Sequence, residues 1–586
     1  MKIRNLALAL MALTLVSCNT TTTSSTTDSA AKTSDSSAIS ASAVMTKSLN
    51  SKLYFGSLST AVEFPCSFFD VAQDVPYVKL STFVDNFFNG VLAGGTAVMS
   101  VSSNVITNNF TKATLTFDCG NNTVSCSDLD LLTSTLGVLF LHSDPLSTGI
   151  DTTAQSVDDK CSRVAGKTMN WNLDKYYMSL VSYNGEVYAP FSLIHSIFLK
   201  NILQKPIVFN GSDFYMADTG SMFNEDGNTN SYGEAYYGGS LVSSKARSES
   251  YSKYFYGTFL FEMGNFNGHI SSMSFKSLDS ELETKGYKSK LLSSDSLVAD
   301  KAVAEVINNI FADGGHTGFL GCGLTVDVDT QRDQKLMTEI LETDSRTKSS
   351  EAVRKQLSEK RGTLSKNVNI SGETAVITLD SFSLNEKQKA PTKADVTTDT
   401  KSTFAILYNS FKEIEKNTSV KNVVLDVSLN PGGAAPALGE TLSFLTDEDI
   451  TFMTKNPVTG AGQTEVVRYD TNLDGDFTDK DSYEGKYNFY ILTSEYSFSC
   501  ANILPCIAKD YGYAKIIGQR SGGGDCMVGY GSTVDGTNWQ MSSTNSVVRK
   551  DGTNMDDGCA LDYTIDYANF YDLSYLDNFL KTNTTK

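Results

Sequence analysis

Residues 490–525 constrain the fold of this chain more strongly than any other segment. They begin with a short β-prone run that ends at Thr493, followed by a serine-rich turn. Residues 501–511 then carry apolar side chains at the spacing of a helix with one buried face. Residues 515–518 form a second short apolar run, and a glycine-rich loop follows. This order predicts a strand, a sharp turn, a helix and a second strand.

Ser499 is the serine at the predicted strand-to-helix junction. Such a junction holds the side chain out of the sheet. The unpaired amides of the first helical turn, beginning at Cys500, can donate to a developing oxyanion. Ser499 is therefore a candidate nucleophile. The alternative is an ordinary helix N-cap, because serine is a preferred cap whatever the function.

The motifs around Ser499 resemble a known family. They are S-x-S-x-(small)-x-I at 497–503, D-Y-G at 510–512 and A-x-I-I-G at 514–518. This combination resembles the nucleophile region of the carboxy-terminal processing peptidases, which include the tail-specific and tricorn core proteases. The resemblance implies that Ser499 is the nucleophile. Many members carry a base lysine where this chain has Gly524, so the resemblance favours the Ser–His–acid arrangement of the tricorn-like branch.

The candidate general base is His316, which lies on a glycine turn after a predicted buried helix at 296–311. The phrase D-x-x-H-T-G resembles the D-G-H-T turn of the tricorn-like branch, although one extra glycine lengthens the turn here. The alternative is a loop histidine without a role. Residues 557–562 resemble the closing G-V-x-P-D segment of the family, and the acid that orients the histidine usually lies just before it. Asp556 and Asp557 are both candidates.

Residues 428–433 follow a predicted buried strand at 422–427 and resemble the family motif D-L-R-x-N-P-G-G, with Ser428 in place of arginine. Glycines let backbone amides approach a ligand closely. The resemblance implies that Gly432 and Gly433, together with Cys500, supply the oxyanion hole. The alternative is a tight turn before a helix at 436–445.

Residues 470–481 have the oxygen-ligand spacing of an EF-hand-like calcium loop, D-x-[DN]-x-D-G with an acid at the twelfth position. The predicted ligands are the side chains of Asp470, Asn472, Asp474 and Asp481 and the carbonyl of Asp476. The alternative is an acidic solvated hairpin. The metal would be structural, and we expect no cofactor for catalysis.

The amino terminus predicts export. Residues 1–18 contain a charged start, an apolar core and L-V-S-C, which resembles a bacterial lipobox with Cys18 as the lipidated residue. The alternative is a plain secretory signal. A Ser/Thr-rich tether at 19–48 follows. We therefore expect a lipid-anchored protein of the bacterial cell envelope, periplasmic or at the cell surface. The formal net charge of -19 argues against nucleic acid and against electrostatic attraction to anionic lipid.

We predict an α/β catalytic domain at 366–586, because its β-α-β order indicates layers of sheet and helix, here of the crotonase-like kind. A helical lead-in that carries the histidine turn precedes it at 219–365; its charged part, 329–361, is a lid, an insertion or a spacer. Residues 49–218 form a small α+β accessory domain that resembles the copper amine oxidase amino-terminal type. Cys119 and Cys126 could close a small disulfide loop.

Together these features predict a surface-anchored serine endopeptidase that hydrolyses protein or peptide substrates through an acyl-enzyme. The competing hypothesis is a catalytically inactive surface binding lipoprotein with the same fold. Cys500 in place of a small alanine and the lengthened histidine turn motivate this alternative.

Overall fold

The computed structural model describes residues 43–91, 99–132, 154–224, 228–241, 246–326, 345–362, 364, 367–384, 392–477 and 481–583. The predicted signal peptide, Cys18 and most of the predicted tether lie outside these residues. Across the described ranges, no helix has both the length and the apolar character needed to cross a bilayer.

Three small sheets form the first region of the chain. The strands up to residue 216 are β1 (Met45–Leu49), β2 (Lys52–Tyr54), β3 (Ala61–Glu63), β4 (Cys66–Phe69), β5 (Ala72–Lys79), β6 (Met99–Ser102), β7 (Val105–Asn108), β8 (Thr114–Asp118), β9 (Thr123–Cys126), β10 (Ala154–Ser156), β11 (Ser162–Val164), β12 (Met169–Asn172), β13 (Val181–Tyr183), β14 (Glu186–Pro190), β15 (Ile207–Phe209) and β16 (Phe214–Met216). The strand orders of the three sheets are β1-β4-β5-β14-β13, β12-β9-β8-β7-β6 and β15-β16-β2-β3.

The suggested disulfide between Cys119 and Cys126 is wrong. In the β8–β9 hairpin Cys126 pairs with Leu115, whereas Cys119 follows the end of β8 at Asp118. The two cysteines are thus offset by about four residues along the hairpin, or roughly 13 Å at strand spacing. A disulfide needs Cα atoms within about 7 Å. Both thiols are free.

The longer helices follow the first region and alternate with the later strands. They are α1 (Ser231–Tyr237), α2 (Glu249–Phe266), α3 (Leu278–Thr284), α4 (Ser296–Ile310), α5 (Ser345–Arg361), α6 (Thr403–Ile414), α7 (Ala435–Ser443), α8 (Cys500–Tyr511) and α9 (Leu573–Asn583). Shorter helical segments are Leu80–Phe83, Val84–Val91, Leu129–Leu132, Asp158–Lys160, Leu173–Tyr176, Phe191–Ile194, His195–Leu199, Lys200–Leu203, Thr219–Met222, Ile270–Ser272, Tyr287–Leu291, Lys393–Thr398 and Tyr567–Asn569.

The region predicted to be catalytic is α/β, as expected. Its strands include β18 (Val368–Ser371), β19 (Thr374–Thr378), β20 (Asn422–Asp426), β23 (Asn488–Thr493), β24 (Lys515–Gly518) and β27 (Tyr563–Thr564). They form one sheet of order β18-β19-β20-β23-β24-β27, in which every pair is parallel except β18–β19. Helix α6 connects β19 to β20, and α8 connects β23 to β24. The carboxyl ends of β20 and β23 therefore lie side by side, which brings residues 427–433 and 494–499 together.

A second sheet, in which every described pair of strands is antiparallel, includes the strand that follows the His316 turn. Its remaining strands are β17 (Gly318–Gly321), β21 (Ile450–Lys455), β22 (Gly462–Tyr469), β25 (Cys526–Ser532) and β26 (Asn538–Val548). The order is β10-β22-β21-β26-β17, with β11 on β22 and β25 on β26. The sheet thus joins strands from the predicted accessory domain, the lead-in and the catalytic domain.

The predicted unit boundary at 218/219 falls inside a continuous hydrophobic core. This core extends from Leu53 in the first region, through α2 and α4, to Trp539 and Met541 on β26. A buried ion-pair cluster reinforces it: Arg247 lies 3.1 Å from an oxygen of Asp300 on α4 and 2.9 Å from one of Asp535 before β26. His195 is buried, and its Nε2 accepts the amide of Ile207 at 3.2 Å.

Candidate active site

Ser499 lies at the junction of β23 and α8 with φ 56° and ψ -126°. This is a left-handed conformation that a residue with a side chain adopts at a cost of about 1–3 kcal/mol, and such residues concentrate at functional sites. Three backbone hydrogen bonds maintain it. The Ser499 amide donates to the Gly523 carbonyl at 2.9 Å, and the Ser499 carbonyl accepts the amides of Asn502 at 2.8 Å and Ile503 at 2.9 Å.

The N-cap explanation for Ser499 is not supported, because its side chain makes no capping hydrogen bond with α8. The hydroxyl of a serine cap would accept from the second or third amide of the helix. Here Ser499 is half-buried and its Oγ is not used by the helix. The side chain is therefore available for chemistry.

The serine-rich turn before Ser499 is fastened to the turn after β20. Ser494 Oγ donates to the Ser428 carbonyl at 2.6 Å, and Ser497 Oγ donates to the Val427 carbonyl at 2.8 Å. The Phe498 amide donates to the Asn430 carbonyl at 3.3 Å. These hydroxyls explain the serine content of the turn, since they fix the nucleophile junction against the glycine turn.

The glycine turn packs against Ser499. A Cβ added at Gly432 would lie 2.7 Å from Ser499 Cβ, and one at Gly433 would lie 2.2 Å from the Phe382 carbonyl oxygen. Both residues also have positive φ, 114° and 139°. Only glycine fits at these two positions.

Gly432 does not supply an oxyanion-hole amide, contrary to the prediction. Its N–H donates to Asn430 Oδ1 at 2.8 Å and is therefore already used. Asn430 in turn donates its Nδ2 to the Leu379 carbonyl at 2.9 Å, which holds the side chain in place. The role of Gly432 is to let the turn approach Ser499 closely.

The amides of Gly433 and Cys500 are brought together. The bridge between Phe382 and residues 432–434 uses the Gly432 carbonyl and the Ala434 amide, so it leaves the Gly433 amide unused. Cys500 opens α8, where an amide has no intrahelical acceptor. Cys500 Sγ donates to the Gly433 carbonyl at 3.2 Å. Burial raises the pKa of this thiol to about 12, while the Gly433 amide, the Ser499 hydroxyl and its own amide act in the opposite direction. The Gly433 amide, the Ser499 hydroxyl, and the amide and thiol of Cys500 therefore lie within one small region.

The turn that carries His316 is held by Asp313. The carboxylate of Asp313 accepts the amides of Gly315 at 3.2 Å and Thr317 at 2.8 Å. It also accepts the hydroxyl of Ser542 on β26 at 2.7 Å. The extra glycine is accommodated because Gly314 and Gly315 both have positive φ. The lengthened turn is therefore an ordered feature.

His316 is buried, and its Nδ1 has no hydrogen-bond partner among the residues that the structure describes. Its ring meets the ring of Phe498 edge-on, with centroids 4.7 Å apart. Burial lowers the pKa of His316, and the carboxylates of Asp313, Asp556 and Asp525 oppose this effect in that order. The imidazole is thus neutral near neutral pH, the form that accepts a proton. No hydrogen bond joins Ser499 Oγ to the ring, although both residues are described.

Of the two candidate aspartates, Asp556 is among the largest charges that act on the imidazole of His316. Asp557 is exposed, and its carbonyl accepts a hydrogen bond from Arg520 at 3.0 Å. Asp556 is half-buried. It accepts the Gly524 amide at 2.9 Å and lies 3.3 Å from Nη1 of Arg346 on α5.

Two acids near the histidine, Asp313 and Asp525, were missed by the sequence analysis. Asp313 stands in the quoted D-x-x-H-T-G phrase, so its position was a usable signal. Asp525 gave none, because it ends a glycine loop far along the chain. A Cβ at the neighbouring Gly524 would lie 2.6 Å from the Phe498 ring, which leaves no room there for a lysine base.

An open cleft of about 240 Å³ adjoins the nucleophile junction. Its walls include Gly314 of the histidine turn, Phe498 before the nucleophile, Asp556, and Arg346. Arg346 also donates to the Gly522 carbonyl at 2.5 Å, so α5 closes one side of the cleft. The cleft is thus lined by a residue of the histidine turn and by the residue that directly precedes Ser499.

The predicted calcium loop gathers three carboxylates. Oxygens of Asp470, Asp474 and Asp481 lie within 4.8 Å of one another. Asn472 Nδ2 donates to Asp481 Oδ1 at 2.5 Å, and Gly475 at the sharp turn has φ 90°. Asp476 is exposed, consistent with a ligand role for its carbonyl only. The donor set is all oxygen, which suits Ca²⁺.

Residues 373–565 match the family model of peptidase family S41. The resemblance predicted from the motifs around Ser499 is therefore confirmed for this segment. No curated protein sequence matches the chain.

Solved structures with low similarity include a photosystem II D1 C-terminal processing protease (17% identity, TM-score 0.25), a lipoprotein from Streptococcus agalactiae (16%, 0.34) and the tricorn protease (19%, 0.23). The matches cover 35%, 57% and 40% of this chain. The same matches cover 46% of the processing protease, 96% of the lipoprotein and 19% of the tricorn protease, so this chain spans less than half of the processing protease. At these identities and scores they carry no functional assignment.

Proposed function

From the match to peptidase family S41 and the geometry around Ser499, we propose that this chain is a serine endopeptidase. The observation that carries the proposal is the uncapped side chain of Ser499 in a left-handed junction against Gly432. Strain of this kind persists only where the surroundings maintain it, and here two turns are hydrogen-bonded together to do so.

In the proposed mechanism Ser499 Oγ attacks the carbonyl carbon of a peptide bond while its proton passes to His316. The oxyanion of the tetrahedral intermediate accepts hydrogen bonds from the amides of Gly433 and Cys500. The intermediate then collapses, the C–N bond breaks, and the leaving amine takes the proton from His316. Water attacks the resulting ester by the same route and restores Ser499.

His316 must move to reach Ser499 Oγ, because no hydrogen bond joins them without substrate. Its Nδ1 has no partner to lose, and its main contact is the Phe498 ring. Base–nucleophile contacts are often formed only in the substrate complex. Asp313 fixes the turn of the histidine, and Asp556 lies among the charges that favour the imidazolium.

The substrate class is protein or peptide, and we propose that the enzyme works outside the cytoplasm on a lipid anchor at Cys18. The lipobox motif supports the anchor. Metabolic labelling with a fatty acid tests it: the wild-type chain should incorporate the label and Cys18→Ser should not. Label retained in Cys18→Ser would contradict the anchor.

We also propose that residues 470–481 bind a structural Ca²⁺ through Asp470, Asn472, Asp474, Asp481 and the carbonyl of Asp476. The loop precedes β23, so the ion would order the connection that leads to the nucleophile strand. No catalytic step needs the ion.

A peptide-hydrolysis assay tests the endopeptidase proposal. The mature chain and Ser499→Ala are incubated with a mixed peptide pool, and new amino termini are identified by mass spectrometry. The proposal predicts cleavage by the wild type only. Equal products from both chains would contradict Ser499 as the nucleophile.

The second candidate is a non-catalytic peptide-binding lipoprotein. The absence of a hydrogen bond between Ser499 and His316, and the buried thiol of Cys500 beside the amides, favour it. It predicts that peptides bind to the wild type and to Ser499→Ala alike and are recovered intact from both.

A further inference from the structure

A second cluster of chemically reactive side chains lies beside the histidine turn and has no part in the mechanism above. It consists of His269, Asp525 and Cys526, whose donor atoms lie within 4.8 Å of one another. Two distant chain segments contribute: the turn after α2, which carries His269, and the junction between the glycine loop and β25, where Asp525 and Cys526 are adjacent. Their convergence is produced by the fold.

The spacing of the donor atoms suits a transition metal. Cys526 Sγ lies 3.4 Å from Asp525 Oδ1 and 4.0 Å from His269 Nε2. In a tetrahedral zinc site with Zn–S near 2.3 Å and Zn–N or Zn–O near 2.0–2.1 Å, neighbouring donors lie about 3.5 Å apart. Small side-chain movements would close the remaining difference.

The surroundings support each donor. The other carboxylate oxygen of Asp525, Oδ2, accepts the Ser546 hydroxyl at 3.1 Å and the Met555 amide at 3.2 Å, so Oδ1 faces the cluster. Such outer contacts orient metal ligands. A Cβ at Gly268 would lie 2.7 Å from Cys526 Sγ, so the glycine makes room for the sulfur beside His269.

A thiol nucleophile is a poorer explanation. Cys526 is 2% exposed, and burial followed by the Asp525 carboxylate raises the pKa of its thiol well above the usual range. A substrate could not reach it. A bound cation is small enough to enter, and His269 is half-buried and provides access.

From this geometry we propose that His269, Asp525 and Cys526 bind Zn²⁺ or a similar transition metal, with a fourth position open to water. The proposed metal site does not depend on the proposed peptidase activity.

Cobalt titration tests the binding without any activity. The full mature chain is reduced, freed of metal and titrated with Co²⁺, which gives a sulfur-to-cobalt charge-transfer band when a thiolate binds. We expect the band in the wild type and its displacement by Zn²⁺. Cys526→Ser should abolish it, and His269→Ala should weaken affinity at least about 100-fold, since loss of outer contacts alone costs 10–100-fold.

Matched controls are Cys119→Ser, which removes a thiol outside the cluster, and Asp470→Asn, which disrupts the other carboxylate cluster. Both should keep the band. Near-ultraviolet circular dichroism checks that each variant is folded. If Cys526→Ser does not fold, His269→Ala provides the test of the site. A missing band in the wild type, or an unchanged titration in folded His269→Ala, would overturn the site.

Discussion

The ring of His316 lies edge-on against the ring of Phe498, with centroids 4.7 Å apart and an interplanar angle of 64°. Phe498 directly precedes Ser499, where the family motif has alanine. The residue beside the nucleophile therefore covers the candidate base. Because burial is the main cause of the lowered pKa of His316, this contact links the packing of the nucleophile turn to the pH range of the enzyme.

Replacing Phe498 should therefore change the pH dependence. His316 must be neutral to accept a proton, so the rate falls as pH drops through its pKa, which lies below the usual value of about 6.5. Phe498→Ala exposes the imidazole and should raise this pKa, which moves the acid limb of the rate profile to higher pH. The pH dependence of Ser499 modification measures it. Phe498→Leu, which keeps the burial, is the control, and identical acid limbs in all three chains would contradict the account.

Gly433→Ala should inactivate the enzyme. The added Cβ would lie 2.2 Å from the Phe382 carbonyl oxygen, at a φ of 139° that alanine rarely adopts. The amide must then shift from the oxyanion position, and loss of one such donor costs about 10²–10³ in turnover. Peptide hydrolysis and thermal unfolding are measured together. Gly264→Ala on α2, where a Cβ meets nothing within 4 Å, is the control and should stay active. Full activity in Gly433→Ala would remove this amide from the mechanism.

Substitutions of the adjacent residues Asp556 and Asp557 should have different effects on turnover. Asp556→Asn removes a charge that favours the imidazolium, so the imidazole becomes a weaker base and the rate should fall severalfold. Asp557→Asn, one residue away and exposed, should behave like the wild type. Turnover of a single peptide at fixed pH compares the two. A reversed order would mean that Asp557 orients the histidine after all.

Calcium should stabilise the chain through residues 470–481. A ligand at 100 times its Kd adds about 2.7 kcal/mol to the free energy of unfolding, so chelation should lower Tm by several degrees. Asp470→Asn should abolish the calcium response. Asp476→Asn should keep it, because that residue is expected to bind through its carbonyl. Differential scanning calorimetry with and without chelator measures the calcium response of each chain. A wild-type Tm that does not change with calcium would exclude the site.

The sequence was most informative where local pattern determines structure. Strand β23, helix α8 and strand β24 lie where residues 490–518 predicted them, because strand propensity and helical spacing are local signals. Family motifs extended this to the parallel sheet and to the turn at 428–433. At that turn the prediction and the structure differ only in the role of the Gly432 amide. The difference arises because the side chain of Asn430 is oriented to accept that amide.

Long-range pairing could not be predicted in this way. Strands β10 and β11 pair with β22, some 300 residues later, and Trp539 completes the core of the first region. Nor did the sequence indicate that Phe498 would cover His316, since the two residues meet only when the two sheets are assembled. The lipid anchor, the accessory-domain resemblance and the crotonase-like layering stay predictions.

Modification of Ser499 by a fluorophosphonate tests the central claim most directly. The mature chain is treated with the probe beside Ser499→Ala and His316→Ala, and the labelled residue is mapped by mass spectrometry. The account predicts one adduct, on Ser499, that is lost in both variants while each remains folded. A folded wild-type chain that takes no label with calcium present, or one labelled equally well in His316→Ala, would contradict the proposed nucleophile and base.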